Sequence, residues 1–95
     1  MAQADRKLDL EEAAQEELEK ACSFKWAQLQ ALIPWGDDFE GFTPGGRAVT
    51  FERSYLWDGQ AGGDILVEVA IYEPQAFEQG VRLTGSIRRR EEDPS

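Results

Sequence analysis

The stretch Ala48-Val49-Thr50-Phe51-Glu52-Arg53-Ser54-Tyr55-Leu56-Trp57 alternates along its length, and the fold is read outward from it. In an extended chain Val49, Phe51, Tyr55 and Trp57 fall on one side, with Arg53 intruding among them, and Thr50, Glu52 and Ser54 fall on the other. Two later stretches repeat the pattern. Residues 65–73 set Ile65, Val67, Val69 and Ile71 against Glu68, Ala70 and Tyr72. Residues 81–89 set Val81, Leu83 and Ile87 against Arg82, Thr84, Ser86 and Arg88. Gly85 leaves a gap in that last apolar row, room for a helix or an aromatic ring to approach. The connections 58–64 and 74–80 are short enough for an antiparallel meander with one core face and one wet face.

Ahead of the strands the period changes to that of a helix. Leu10, Ala14, Leu18, Ala21, Cys22, Leu29 and Leu32 recur on one side. Asp9 reads as the N-cap, Glu12 completes a capping box, and Leu8 is placed to staple onto Ala13. Lys25 interrupts the apolar stripe and leaves two readings: its stem packs while the ammonium reaches water, or the helix breaks near Ser23. Pro34 disfavours helical geometry at Ile33 and ends the segment. Residues 35–47 read as a long connection rich in Gly and Asp, with Trp35, Phe39 and Phe42 folding back over one end of the core. The order predicts an α+β two-layer domain, an N-terminal helix packed on a three-stranded antiparallel sheet, over residues 9–90. A flexible N-terminus at 1–8 and a flexible tail at 91–95 flank it. One helix on three strands leaves both sheet edges open, so a homodimer through the first or third of these strands is expected to be accessible.

Charge bounds the function classes. The chain has nineteen Asp and Glu against ten Lys and Arg, a formal charge of −9, and no histidine. Direct contact with nucleic acid or an anionic membrane is disfavoured, since each phosphate contact needs a cation. Without histidine the commonest general base and metal ligand is missing. Cys22 has no histidine to activate it and lies on the apolar stripe, so it reads as a structural thiol. Asp37, Asp38 and Glu40 share a Gly-rich segment, but their spacing is not that of an EF-hand loop. Gly45-Gly46 and Gly62-Gly63 precede no helix and do not resemble a phosphate-cradling loop. No cofactor and no metal is expected. A single cysteine and a charged N-terminal stretch without an apolar segment fit a cytoplasmic protein.

What remains is a binding surface. Asp9, Glu12, Glu16 and Glu19 recur every three or four residues, one row about 15 Å long at roughly 1.5 Å per residue. A solvated helix face has the same composition. Asp37, Asp38 and Glu40 extend the acidity, and Leu56, Leu66 and Tyr72 on the wet sheet face form an apolar patch. The first expectation is a non-enzymatic protein that occupies a basic, nucleic-acid-binding surface of a partner protein. Its size and charge are those of acidic inhibitors from phages and plasmids, such as anti-restriction and anti-CRISPR proteins, an analogy of composition only. The alternative is an accessory subunit that packs through a sheet edge or the Leu56, Leu66 and Tyr72 patch.

Overall fold

Strand pairing extends one strand further than the apolar pattern predicts. The computed structural model describes residues 2–76 and 80–89. Its elements are α1 (Ala2–Ala21), α2 (Trp26–Leu29), β1 (Trp35–Phe42), β2 (Ala48–Trp57), β3 (Ile65–Tyr72) and β4 (Val81–Ile87). The strands form one antiparallel sheet in the order β1-β2-β3-β4. The fold is α+β, with four strands where the sequence suggests three.

The added strand is β1, which lies in the segment expected to be a loop. Glycine and aspartate disfavour strands intrinsically, but pairing with a neighbour overrides that preference. β1 pairs with β2 along its whole length, from Trp35 opposite Tyr55 to Phe42 opposite Ala48. Trp35, Asp37, Phe39 and Gly41 therefore share the inner face with Val49, Phe51, Arg53 and Tyr55. The Phe39 ring stacks on Phe51 with centroids 4.9 Å apart, and Trp35 tilts against Tyr55 at 5.3 Å. Gly41 has no side chain because Phe51 fills that space: a Cβ there would stand 2.9 Å from the Phe51 ring. Phe42 points outward and is exposed, so the aromatics do not close over the core as a group.

The three predicted strands have the predicted faces. Val49, Phe51, Tyr55, Ile65, Val67, Val69 and Ile71 are buried together, with Val81, Leu83 and Ile87 packed against them. On them lies α1, through Leu10, Ala13, Ala14, Leu18 and Ala21. Small alanines bring the helix close to the sheet, and Gly85 makes room for it. A Cβ at Gly85 would stand 3.0 Å from Cys22 Sγ and 3.4 Å from Leu18 Cδ1.

The helix itself departs from expectation at both ends. It begins at Ala2, so residues 2–8 belong to it, Asp9 lies in its interior and caps nothing, and Leu8 stays exposed. It ends at Ala21. The Ser23 hydroxyl and backbone N–H both donate to the Lys20 carbonyl and close the last turn. Of the two readings of Lys25 the break is the observed one, and exposed Lys25 becomes the N-cap residue of α2. Leu29 is buried from that second helix, whereas Leu32 is exposed. Trp26 pins α2 to the far end of the sheet. Its indole N–H donates to the Gly63 carbonyl at 2.7 Å, and its ring meets Trp57 at 6.1 Å. A cis Ile33–Pro34 peptide precedes β1. The predicted tail at 91–95 lies outside the described residues. Among the described residues no helix is long and apolar enough to cross a membrane.

The layer packing is uneven, because α1 lies mainly over β3 and β4 and leaves Trp35 and Phe39 on the inner face of β1 partly exposed. Val69, wholly buried between α1 and the sheet, is the sharpest test of this register. Val69→Asp is expected to abolish cooperative thermal unfolding by burying an unpaired charge; a melt like that of the parent chain would refute the packing.

Candidate functional site

Two charged residues sit on faces that should be apolar, and each answers the other. Arg53 lies on the inner side of β2, and Glu17 lies on the buried side of α1 between Ala14 and Ala21. Arg53 Nη1 donates to Glu17 at 3.2 Å, while Nε and Nη2 grip Asp37 at 2.9 and 2.6 Å. The guanidinium carbon also lies over Phe39 at 5.0 Å and over Trp35 at 5.7 Å. The hydrogen bond to Asp37 raises the Arg53 pKa further above its ordinary value, with both carboxylates adding to the effect against some loss from burial. Asp37 is therefore spent within the fold. It is not an exposed loop acid.

Asp9 is spent as well. Its carboxylate accepts hydrogen bonds from the Thr43 hydroxyl and from the Gly45 N–H at 2.8 Å, and it pairs with Arg47 Nε at 3.2 Å. It fastens the turn between β1 and β2 to the helix. The remaining row, Glu12, Glu16 and Glu19, is exposed on α1; Glu19 accepts a hydrogen bond from Gln15 at 3.3 Å.

Other arginines also pair with groups of neighbouring elements, Arg82 and Arg89 from exposed positions. Arg6 pairs with Glu73, and Arg82 lies 3.4 Å from Glu68. Arg89 donates to the Gly62 carbonyl at 2.7 Å and lies over the Trp26 ring at 4.9 Å. Arg6, Arg47, Arg53 and Arg82 tie elements together through Asp9, Glu17, Asp37, Glu68 and Glu73, while Lys7, Lys20, Lys25 and Arg88 are exposed, as are Glu12, Glu16, Glu19, Asp38 and Glu40.

Asp38 and Glu40 are among the exposed carboxylates. They stand on the outer face of β1, away from the layer in which α1 lies. Asp38 is directly opposite Glu52, a like-charge pair across two strands. The Tyr72 hydroxyl donates to Glu52 at 2.7 Å, and that bond raises the Tyr72 pKa above its usual value. A shallow cleft of about 380 Å³ opens on this face, lined by Gly36, Asp38, Glu52, Ser54, Glu68 and Arg82 among others. The predicted acids thus divide into two faces, Glu12, Glu16 and Glu19 on the helix and Asp38 and Glu40 on the outer sheet.

The predicted apolar patch divides too. Leu56 and Leu66 are direct partners across β2 and β3, as expected. Tyr72 is opposite Thr50 at the other end of β3, roughly 20 Å away at about 3.3 Å per residue. Sequence reading missed the cluster of Trp35, Asp37, Phe39, Arg53 and Glu17. Its signal was present: Arg53 intrudes on an apolar strand face and Glu17 on an apolar helix face, and two such misfits are candidates for a pair.

Among the described residues no group of three or more acids and cysteines is placed to hold a metal ion. Cys22 packs beside Gly85, and burial raises its thiol pKa. No protein-family model, curated protein or solved structure matches the chain.

Two outcomes follow from this geometry. Arg53→Met leaves Glu17 and Asp37 without their cation and is expected to cost about 1.5–3 kcal/mol, the range for hydrogen bonds to charged groups. Urea unfolding would measure it, and an unshifted midpoint would show the cluster to be energetically idle. A raised pKa leaves less of the Cys22 thiol as thiolate at a given pH, so alkylation by iodoacetamide at mildly alkaline pH should be slower in the folded chain than in denaturant. Equal rates in both states would contradict the burial.

Proposed function

We propose that this chain is a non-enzymatic protein-binding module whose exposed carboxylates occupy a basic, nucleic-acid-binding surface of a partner protein. One observation carries this reading, the sorting of charge. Arg6, Arg47, Arg53, Arg82 and Arg89 are engaged within the fold, whereas Glu12, Glu16, Glu19, Asp38 and Glu40 face solvent. An acidic field of this kind attracts basic surfaces and speeds encounter with them. Without Asp9 the helix row is about 10 Å long, and its charges stand about 5–6 Å apart against roughly 3.4 Å along one DNA strand. The helix row is thus a sparse imitation of phosphate, and the outer-face acids act as a second contact. Acidic inhibitors of phages and plasmids, anti-CRISPR and anti-restriction proteins among them, supply the compositional analogy for such a role.

The second reading is an accessory subunit that packs through a sheet edge. The inner face of β1 favours it, because α1 leaves Trp35 and Phe39 more than a third exposed.

The test is binding to purified restriction and CRISPR effector proteins, with duplex DNA as competitor. Affinity should fall steeply as salt rises, since exposed charges are screened over about 8–10 Å at physiological ionic strength. DNA should compete. Glu12→Gln, Glu16→Gln and Glu19→Gln together should preserve the fold and slow association. Salt-independent binding that survives the triple substitution would eliminate the acidic reading and favour the accessory subunit.

A further inference from the structure

We propose that β1 is a strand-addition site for an extended basic segment of a partner protein. The partner's backbone pairs along the free edge of β1, and its cationic side chains meet Asp38 and Glu40. The proposal rests on the acidic-surface reading above and narrows it to one edge of the sheet.

β1 ends the strand order, so the backbone groups of alternate residues that face away from β2 meet no further strand. Edges are commonly blocked by charged side chains, by proline or by a covering helix. β1 has no Pro, α1 lies mainly over β3 and β4, and the only charges on β1 are the acids Asp37, Asp38 and Glu40, which repel an acidic strand but admit a basic one. The opposite edge differs: β4 lies beneath α1 and carries exposed Arg82.

Both faces of β1 specify what an added strand must carry. On the inner face Trp35 and Phe39 are 37% and 38% exposed, and apolar side chains of the added strand would rest on them. On the outer face Asp38 and Glu40 are exposed, and Asp38 already opposes Glu52. Like charges directly opposite are destabilising, and a cation brought in beside Asp38 relieves the pair. β2 provides the internal precedent. It places Arg53 opposite Asp37, gripping the carboxylate while lying over Phe39. The basic segment repeats that pairing on the other side of the same strand.

Charge also decides against a second copy of this chain. Antiparallel registers of β1 on β1 that pair seven or eight residues of each strand set Asp38 against Asp38, Asp37 against Glu40, or Asp38 against Glu40. Each chain moreover has a net charge of −9.

The experiment uses the full chain, isotope-labelled, and a peptide of about eight residues alternating arginine with valine, the length of a common strand. Binding should slow hydrogen exchange of amides within Trp35–Phe42. Methylating alternate backbone nitrogens of the peptide keeps its charge but removes its edge hydrogen bonds. Affinity should then fall more than about tenfold, the equivalent of two or more such bonds. Asp38→Lys with Glu40→Lys should abolish binding, while Asp58→Lys, at the far end of the sheet, should reduce it only slightly. Equal affinity for the methylated peptide, or protection confined to α1, overturns the edge site and leaves the acidic reading standing. Absence of peptide binding while basic proteins still bind has the same meaning. If neither binds, both readings fall. A dimer whose β1 amides are protected before peptide is added overturns the proposal in favour of a second copy.

Discussion

A guanidinium on the apolar side of a sheet has to be neutralised where it stands, and the arrangement of this protein depends on how that is done. Arg53 belongs to an interior strand, Asp37 to the edge strand beside it, and Glu17 to the helix. One cation therefore joins three elements, beside the backbone pairing of β1 with β2 and the hydrogen bond from the Tyr55 hydroxyl to the Ala21 carbonyl. Isolated burial of either partner would be costly, because a charge removed from water without a counter-charge loses its hydration. The flanking rings of Trp35 and Phe39 add a cation–π contribution and restrict the guanidinium to one position. An edge strand poor in strand-forming residues is held in place by this contact and by the stacking of Phe39 on Phe51.

The same economy of cations shapes the surface. Arginine is suited to these internal duties, since its planar fork satisfies carboxylates and carbonyls together. Arginines used this way are drawn to carboxylates within the fold, while Glu12, Glu16, Glu19, Asp38 and Glu40 are exposed and make acidity a property of the surface. The single long helix adds a second asymmetry by covering one half of the sheet. The outcome is a small domain with one face completed by helix packing and one edge that is acidic, partly aromatic and open. Those features are what a basic protein surface would meet, and they underlie both the proposed function and the proposed edge site.

Legibility differed sharply between residues. β2, β3 and β4 could be read with their faces because apolar residues alternate through them, and burial follows that alternation directly. β1 could not, since Gly36, Asp37, Asp38 and Gly41 carry the signature of a loop while its alternation of Trp35 and Phe39 spans too few apolar positions. Asp9 misled for a related reason. An aspartate followed by Glu12 looks alike locally whether it opens a helix or lies inside one, and what distinguishes the cases is Thr43, Gly45 and Arg47, far away in sequence. Leu56 and Leu66 were placed correctly by hairpin symmetry. Tyr72 shares their face but lies at the other end of β3, a position that alternation alone does not reveal.

The α+β class, the three apolar strands, their core faces and the excess of acid are legible from the residues alone. These depend on periodicity and composition, which are local and additive. Long-range contacts make residues 35–42 an edge strand, end the first helix at Ala21, and bind Asp9 and Asp37 to arginines within the fold while Asp38 and Glu40 face solvent. Each of those outcomes is settled by partners distant in the chain: a neighbouring strand supplies hydrogen bonds that outweigh weak intrinsic propensity, and a carboxylate is bound or free according to which guanidinium the fold brings within reach.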